Sequence, residues 1–146
     1  MPILQKKNEI FQSKKHIEWL KKNFKNVSSK NIELSDSFDS FKNSIDNSSD
    51  EKKTLLALAN TRSRFRMLTL YYYASIRNSI VVGTGNKVED FGVGFYTKYG
   101  DGGVDISPIA DLFKSEVFEL AKKLNIIDDI IQAKPTDGLW DDGRTD

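Results

Sequence analysis

The amino-acid sequence predicts an α/β fold built around a parallel sheet. Three observations support this prediction: long stretches in which apolar residues recur at helical spacing, a β-branched run from Ser79 to Gly83, and an amphipathic helix further on. A short β-branched run that ends in glycine is typical of a strand buried in a parallel sheet. Helices interleaved with such strands indicate α/β architecture.

Composition limits the classes of protein to consider. The 146 residues suffice for one domain with a single core. The chain has 22 Lys and Arg against 21 Asp and Glu, a net charge of +1, so it has no overall attraction for nucleic acid or an anionic membrane. It contains no cysteine, which excludes disulfides and thiolate sites. No apolar run reaches membrane-spanning length and the N-terminus lacks the apolar core of a signal peptide, so we expect a cytoplasmic protein without membrane or nucleic-acid partners.

Residues 1–53 are predicted to be a variable helical and loop segment. Apolar residues at helical spacing predict a helix from Gln5 to Lys25 whose other face is rich in lysine. That face is interpreted as solvated, although a basic helix is also a feature of nucleic-acid-binding domains. Asn31–Leu34 alternates polar and apolar residues, as a short strand does, and Ser35–Asp50 is expected to be a mobile loop or a weakly formed helix.

Residues 54–146 are predicted to be the motif-bearing core, which opens with a helix from Thr54 to Arg77. Its apolar residues form two stripes on opposite sides, which indicates burial on both faces. One stripe comprises Leu58, Phe65, Leu68, Tyr72 and Ile76, and the other comprises Met67, Leu70, Tyr71 and Ala74. We expect one face to lie on the sheet. The other needs a cover, either another helix of this chain or a second subunit, and a homodimer is the favoured prediction.

Two loops concentrate residues suited to nucleotide chemistry. Gly83–Asp90 follows the predicted strand, and its small residues let backbone amides approach a ligand, with a hydroxyl on Thr84 and a carboxylate on Glu89 for magnesium. The glycine-rich stretch Phe95–Asp105 presents charged side chains beside tight backbone. An ordinary turn and a structural hairpin are the alternatives. After these loops comes the amphipathic helix, with Asp111 as its candidate N-cap.

At these loops the sequence closely resembles the NAD synthetases. The matching segments, in order along the chain, are Asn60–Met67, Val82–Glu89, Phe95–Asp105 and Lys134–Trp140. The resemblance implies the Rossmann-like, adenine-nucleotide α-hydrolase-like fold of the ATP pyrophosphatases. It also implies ATP-dependent amidation of deamido-NAD with ammonia through an adenylated intermediate, which yields NAD, AMP and pyrophosphate, in a magnesium-dependent homodimer.

The resemblance implies a role for seven residues, each by its match to a position of the family pattern. The ATP-binding positions are Thr84, Lys114 and Thr136. The positions that contact deamido-NAD are Arg64, Lys98 and Asp105. Glu89 matches a magnesium ligand. These residue types suit the chemistry, because lysine and arginine bind phosphate and a carboxylate oxygen binds magnesium.

The sequence also departs from the family pattern. The pyrophosphate loop Ser-Gly-Gly-x-Asp-Ser, which cradles phosphate at a helix N-terminus, is absent from these residues, as is the family's C-terminal His-Lys pair. We therefore expect an incomplete fold that lacks its first strand and its pyrophosphate loop. Two hypotheses follow: the chain is part of a working synthetase, or it is a non-catalytic remnant that keeps the dimerisation helix.

Overall fold

The computed structural model describes residues 1–46 and 48–133, and helices account for most of the regular structure within them. The helices are α1 (Lys7–Asn23), α2 (Ser35–Asn43), α3 (Glu51–Arg77), α4 (Lys114–Lys123) and α5 (Asp128–Ile131), with a π-helical turn at Val88–Val93. The predicted helices at Gln5–Lys25 and Thr54–Arg77 are therefore confirmed as α1 and α3. None of the helices in the described ranges combines the length and apolarity that a bilayer crossing needs.

The predicted parallel sheet is reduced to one parallel bridge between Val82 and Ile106. The Gly83 amide donates to the Ile106 carbonyl at 2.8 Å, and the Asp105 amide donates to the Val81 carbonyl at 2.9 Å. Beyond this bridge, residues 1–46 and 48–133 contain no regular strand. The predicted strand from Ser79 to Gly83 is therefore not a regular strand, since Val82 alone of this run forms a bridge.

The core lies between the N-terminus, α2 and α3. Ile3, Leu34 and Phe38 are buried together, and the Phe65 ring of α3 meets Phe38 edge-on at 5.9 Å. Two predictions for this region were wrong or incomplete. Asn31–Leu34 is not a strand: Leu34 is the N-cap of α2, and its amide donates to the Pro2 carbonyl at 3.0 Å. Of the two alternatives for Ser35–Asp50, a mobile loop or a weakly formed helix, the helix is the one observed over most of the segment, as α2, and Phe38 gives it an apolar anchor.

Helix α3 carries most of the tertiary contacts that shape the candidate site. The Asp50 carboxylate accepts a hydrogen bond from the Lys53 amide at 3.1 Å and caps the first turn, so the helix begins three residues before Thr54. It ends at Asn78, whose left-handed backbone (φ 50°, ψ 50°) turns the chain toward the extended segment.

The two apolar stripes of α3 are covered differently from what the sequence predicts. Gly103 packs against Met67 of the second stripe, and Ala74 of the same stripe is 7 % exposed. The glycine-rich stretch of the same chain therefore covers part of the second stripe at Met67, whereas Leu70 of that stripe remains 42 % exposed. In the first stripe, Leu58 and Phe65 pack at the core, and three residues further along remain exposed. These are Leu68 at 64 %, Tyr72 at 61 % and Ile76 at 59 %.

The last two helices are anchored by polar contacts. Helix α4 begins at Lys114, and its N-cap is Phe113, so the prediction of Asp111 as N-cap was wrong. The Glu116 carboxylate folds back to accept the Phe113 amide at 2.7 Å, which satisfies a donor at the helix start without a polar N-cap side chain. Helix α5 is tied to α1 by a salt bridge between Lys15 and Asp129 at 2.5 Å.

Candidate functional site

The loop after the parallel bridge is organised by a buried asparagine. Asn86 is 3 % exposed, and its side-chain oxygen accepts hydrogen bonds from the amides of Val88 at 3.0 Å and Glu89 at 3.2 Å. These bonds begin the π-helical turn Val88–Val93, a structure that often marks functional sites. They also orient Glu89, because the π-helical turn fixes the backbone from which this carboxylate extends.

The loop brings together the predicted magnesium ligand and a predicted ATP-binding lysine. The carboxylate of Glu89 forms an ion pair with the ammonium of Lys114, although the two residues are 25 positions apart. Lys114 is the first residue of α4, and the amide of Lys87 donates to the Leu112 carbonyl at 2.9 Å, which holds the loop against the segment before α4. Both charged side chains stay partly exposed, at 27 % for Glu89 and 40 % for Lys114, and remain reachable by a ligand.

Asp90 is a second carboxylate in this loop to which the sequence analysis assigned no role. It packs so tightly on Gly85 that a Cβ at position 85 would collide with both carboxylate oxygens. Burial, and then the negative charges of Glu89 and Asp101, raise the pKa of Asp90 above its ordinary value of 3.8. The spacing of a glycine five residues before the acid was the only sequence signal available for this contact.

The glycine-rich stretch is fixed to α3 by side-chain hydrogen bonds. The Asp101 carboxylate oxygen Oδ1 accepts from the Ser63 hydroxyl at 2.7 Å and from the Thr97 amide at 2.9 Å. The Asp101 amide donates to the Ser63 hydroxyl at 2.9 Å, and the Thr97 hydroxyl donates to the Asn60 side-chain oxygen at 2.7 Å. Ser63 and Thr97 are each 7 % exposed, so these bonds are shielded from water.

Two of the predicted dinucleotide contacts lie side by side. The Arg64 guanidinium donates through Nε to the carbonyl of Lys98 at 3.1 Å. The Lys98 ammonium lies 5.0 Å from the centre of the Tyr99 ring. Arg64 and Lys98 are both exposed, so a cationic surface forms at the junction of α3 and the glycine-rich stretch.

Asp105, the third predicted dinucleotide contact, joins α3 to the parallel bridge. Its Oδ1 accepts from the Tyr71 hydroxyl at 3.1 Å, and its Oδ2 accepts from the Val81 amide at 2.7 Å. Burial, followed by the hydrogen bond and charge of Asp105, raises the pKa of Tyr71. Each carboxylate oxygen thus already has an intramolecular donor, which gives Asp105 a structural task in addition to any contact with a ligand.

An open cavity of about 630 Å³ lies between α3, the loop after the bridge and the glycine-rich stretch. Thr84 lines it, and so do Asn60, Ser63, Thr97 and Asp101 of the hydrogen-bonded cluster. The remaining predicted ATP-binding residue, Thr136, lies outside the described residues. The structure therefore separates the predicted residues that it describes into four places: Thr84 at the cavity, the Glu89–Lys114 pair, the Arg64–Lys98 surface, and Asp105 between α3 and the parallel bridge.

These features lie on sequence segments that characterise a known protein family. The family model described as NAD synthase matches residues 1–146. The chain belongs to the NAD synthase family. Among curated relatives, it is 52 % identical over 90 residues to the NH(3)-dependent NAD(+) synthetase of Thermoplasma volcanium, covering 62 % of this chain and 36 % of the relative. It is 47 % identical over 115 residues to that of Methanosarcina acetivorans, covering 79 % and 43 %. The chain thus spans less than half the length of these NAD synthetases.

Solved structures of similar proteins agree with the family assignment. The NMN synthetase from Francisella tularensis superposes with a TM-score of 0.82 at 34 % identity, over 97 % of this chain and 55 % of that protein. The NH3-dependent NAD synthetase from Campylobacter jejuni superposes with a TM-score of 0.62 at 40 % identity, over 69 % and 42 %. The NAD synthase chain therefore shares the fold of a Rossmann-like family, although regular strands are absent from the residues described.

Proposed function

We propose that this chain is part of an ammonia-dependent NAD synthetase, which amidates deamido-NAD at the expense of ATP. The observation that carries the proposal is the meeting of Glu89 and Lys114, a carboxylate and an ammonium that together match what a magnesium-bound polyphosphate requires. In this reaction the nicotinate carboxylate is adenylated with release of pyrophosphate. Ammonia then displaces AMP to form the amide of NAD.

The proposed ATP site comprises Thr84, Lys114 and Thr136. Lys114 at the first position of α4 presents its ammonium to phosphate oxygens, and Thr84 offers a hydroxyl at the cavity wall. Glu89 would hold magnesium. Its partly exposed carboxylate fits that role, because magnesium in proteins is usually held by one or two carboxylates together with phosphates. Bound magnesium supplies positive charge that offsets the charge of the leaving pyrophosphate.

The proposed dinucleotide site comprises Arg64, Lys98 and Asp105. Arg64 and Lys98 form an exposed cationic pair suited to phosphate or carboxylate groups, and arginine adds the capacity for a bidentate contact. Asp105 would act from the segment beside α3, where it accepts a hydrogen bond from the Tyr71 hydroxyl. Substrate positioning by these side chains would hold the nicotinate carboxylate against ATP, which is a large part of catalysis between two bound reactants.

We also propose that the synthetase is a homodimer that pairs through α3. Leu68, Tyr72 and Ile76 recur at helical spacing and remain more than half exposed, so they form an apolar stripe that a second copy can cover. Leu70 of the second stripe is also 42 % exposed and can contribute to the same interface. The alternative function, a non-catalytic remnant, would keep this helix and lose nucleotide turnover.

A second candidate activity is suggested by the likeness to the Francisella tularensis NMN synthetase, which extends over 97 % of this chain. In that case the amidated product would be NMN in place of NAD. The two activities share the ATP site and differ in whether the adenylate half of the dinucleotide is bound. The comparison of deamido-NAD with its mononucleotide counterpart as ligands separates them.

The experiment that tests the proposal is calorimetric titration of the chain with ATP and magnesium, and separately with deamido-NAD and with the mononucleotide. We expect ATP to bind, and Lys114→Met to weaken it by roughly ten-fold, as the loss of a hydrogen bond to a charged group predicts. Lys123→Met, at the other end of α4, is the matched control and should leave the affinity unchanged. ATP binding that is insensitive to Lys114→Met would contradict the proposed site.

A further inference from the structure

The turn that carries Lys98 has an unfavourable backbone conformation. Tyr99 has a φ of 58°, in the left-handed region that side chains other than glycine and asparagine rarely occupy. The amide of Gly100 donates to the Thr97 carbonyl at 2.9 Å and closes the turn around it. A strained residue of this kind persists only where surrounding contacts hold it, and such residues concentrate at ligand sites.

The contacts that hold this turn come from α3. Ser63 and Asp101, 38 positions apart, exchange two hydrogen bonds: the Ser63 hydroxyl donates to the Asp101 carboxylate, and the Asp101 amide donates to the same hydroxyl. Thr97, at the start of the turn, donates its amide to Asp101 and its hydroxyl to Asn60. Both ends of the turn are therefore attached to one rigid helix on either side of Tyr99.

Close packing reinforces these hydrogen bonds. A Cβ at Gly100 would collide with the Ser63 hydroxyl and would lie 2.8 Å from the Thr97 methyl carbon. The turn backbone thus rests directly on α3 at Ser63. Arg64 follows Ser63 in the helix. The contact between the turn backbone and Ser63 therefore sets the distance between the Lys98 carbonyl and the Arg64 guanidinium.

Lys98 and Arg64 are like charges that have no reason to approach one another in the absence of an anion. The contact between them is made through the backbone, where the Lys98 carbonyl accepts from Arg64 Nε at 3.1 Å. The hydrogen bonds of Asp101 with Ser63 and Thr97, here called the clamp, hold the turn that carries this carbonyl. We propose that Asp101, acting with Ser63, is a positioning residue that holds Lys98 beside Arg64 for an anionic group of the nucleotide substrate. This inference rests on the proposed function for the identity of that ligand, deamido-NAD.

The chemistry of the clamp specifies which substitution should be tolerated. Both bonds that the Asp101 side chain accepts end on the one oxygen Oδ1. An asparagine retains that oxygen and loses the negative charge, whereas an alanine loses both. If Asp101 acts by holding the turn, Asp101→Asn should keep the properties of the wild-type chain that Asp101→Ala loses. If Asp101 acts through its charge on the ligand or on a metal, Asp101→Asn should lose them as well.

The first test measures amide hydrogen exchange of the wild-type chain, Asp101→Ala and Asp101→Asn. We expect Asp101→Ala to speed the exchange of the Gly100 and Gly103 amides by about ten-fold or more, because local opening of the turn becomes easier. Asp101→Asn should stay close to wild type, and the amides of α1 should exchange alike in all three. Unchanged exchange in Asp101→Ala, or equal acceleration in Asp101→Asn, would overturn the clamp.

The second test titrates the same three proteins with deamido-NAD and with ATP and magnesium. We expect Asp101→Ala to weaken deamido-NAD by about ten-fold, a larger loss than for ATP, and Asp101→Asn to restore deamido-NAD affinity. A loss in Asp101→Asn equal to that in Asp101→Ala would show direct action of the carboxylate and overturn the positioning role. A wild-type chain without affinity for deamido-NAD would overturn the proposed function and the ligand assignment, while the exchange rates decide the clamp separately.

Discussion

The Glu89 carboxylate and the Lys114 ammonium form an ion pair that joins the π-helical turn to the start of α4. Each of these two side chains neutralises the charge of the other when no nucleotide is bound. A polyphosphate and its magnesium ion would replace this pairing with a larger set of opposite charges, magnesium on Glu89 and phosphate on Lys114. The ion pair thus brings into contact the two residues that we propose bind magnesium and phosphate.

The first prediction concerns the charge of Glu89. Glu89→Gln keeps the size of the side chain but removes the charge, so the magnesium concentration needed for half-maximal ATP binding should rise several-fold. Calorimetric titration of ATP at a series of magnesium concentrations measures it. Glu119→Gln, an exposed glutamate on α4, is the control and should behave as wild type. An unchanged magnesium requirement in Glu89→Gln would remove Glu89 from the site.

The second prediction concerns the exposed stripe of α3. Tyr72→Glu should convert a dimer into a monomer, because a charge in an apolar interface must be desolvated. Sedimentation velocity of both proteins provides the measurement. Phe11→Glu is the matched control, since Phe11 on α1 is 60 % exposed against 61 % for Tyr72. A monomeric wild-type chain with an intact α3 would rule out this interface.

The third prediction concerns two glycines in different surroundings. Gly100→Ala should destabilise the chain by about 1–3 kcal/mol, the usual cost of overpacking, because its Cβ collides with Ser63. At Gly92 the nearest atom to an added Cβ lies 3.7 Å away, so Gly92→Ala should be tolerated. Denaturant unfolding compares the two variants. Equal stability would mean that the turn does not rest on α3.

The fourth prediction concerns pH. Hydrogen bonds from the Ser35 hydroxyl and amide hold the pKa of Glu33 below its ordinary value of 4.5. Because the folded-state pKa is depressed, the stabilisation is present above the unfolded pKa and is lost as pH falls through the folded pKa. The melting temperature of wild type should therefore exceed that of Glu33→Gln at neutral pH, and the difference should shrink below about pH 4. A difference that is constant with pH would show that the charge of Glu33 does not contribute.

The fifth prediction is that residues 1–146 by themselves do not make NAD at the rate of an intact synthetase. In the proposed site, Thr84, Glu89 and Lys114 would supply some of the contacts to ATP and magnesium, but residues 1–146 include no Ser-Gly-Gly-x-Asp-Ser loop to cradle the phosphates. Loss of a single preorganised donor typically slows a reaction about a hundred- to a thousand-fold. The rate is measured by incubating the chain with ATP, magnesium, ammonium and deamido-NAD and following NAD and AMP over time. Turnover near that of an intact enzyme would refute the argument.

Local sequence determined the helices and the segments that carry chemistry. The spacing of apolar residues predicted α1 and α3 to within a few residues, because helix periodicity is written in neighbouring positions. The density of glycine and charge from Phe95 to Asp105 likewise marked the stretch that holds Lys98. The Ser35–Asn43 helix was underestimated, since its stability comes from Phe38 packing against Phe65, a contact between distant residues.

Tertiary structure alone decided which groups meet. Glu89 reaches Lys114 across 25 positions, and Ser63 reaches Asp101 across 38, and no local pattern specifies either pair. The same holds for α3, where the sequence showed two apolar stripes but not which one the glycine-rich stretch would cover. These outcomes depend on the path of the chain between elements. The contacts are selected by burial and hydrogen bonding between residues far apart in sequence, and not by the periodicity of neighbouring residues.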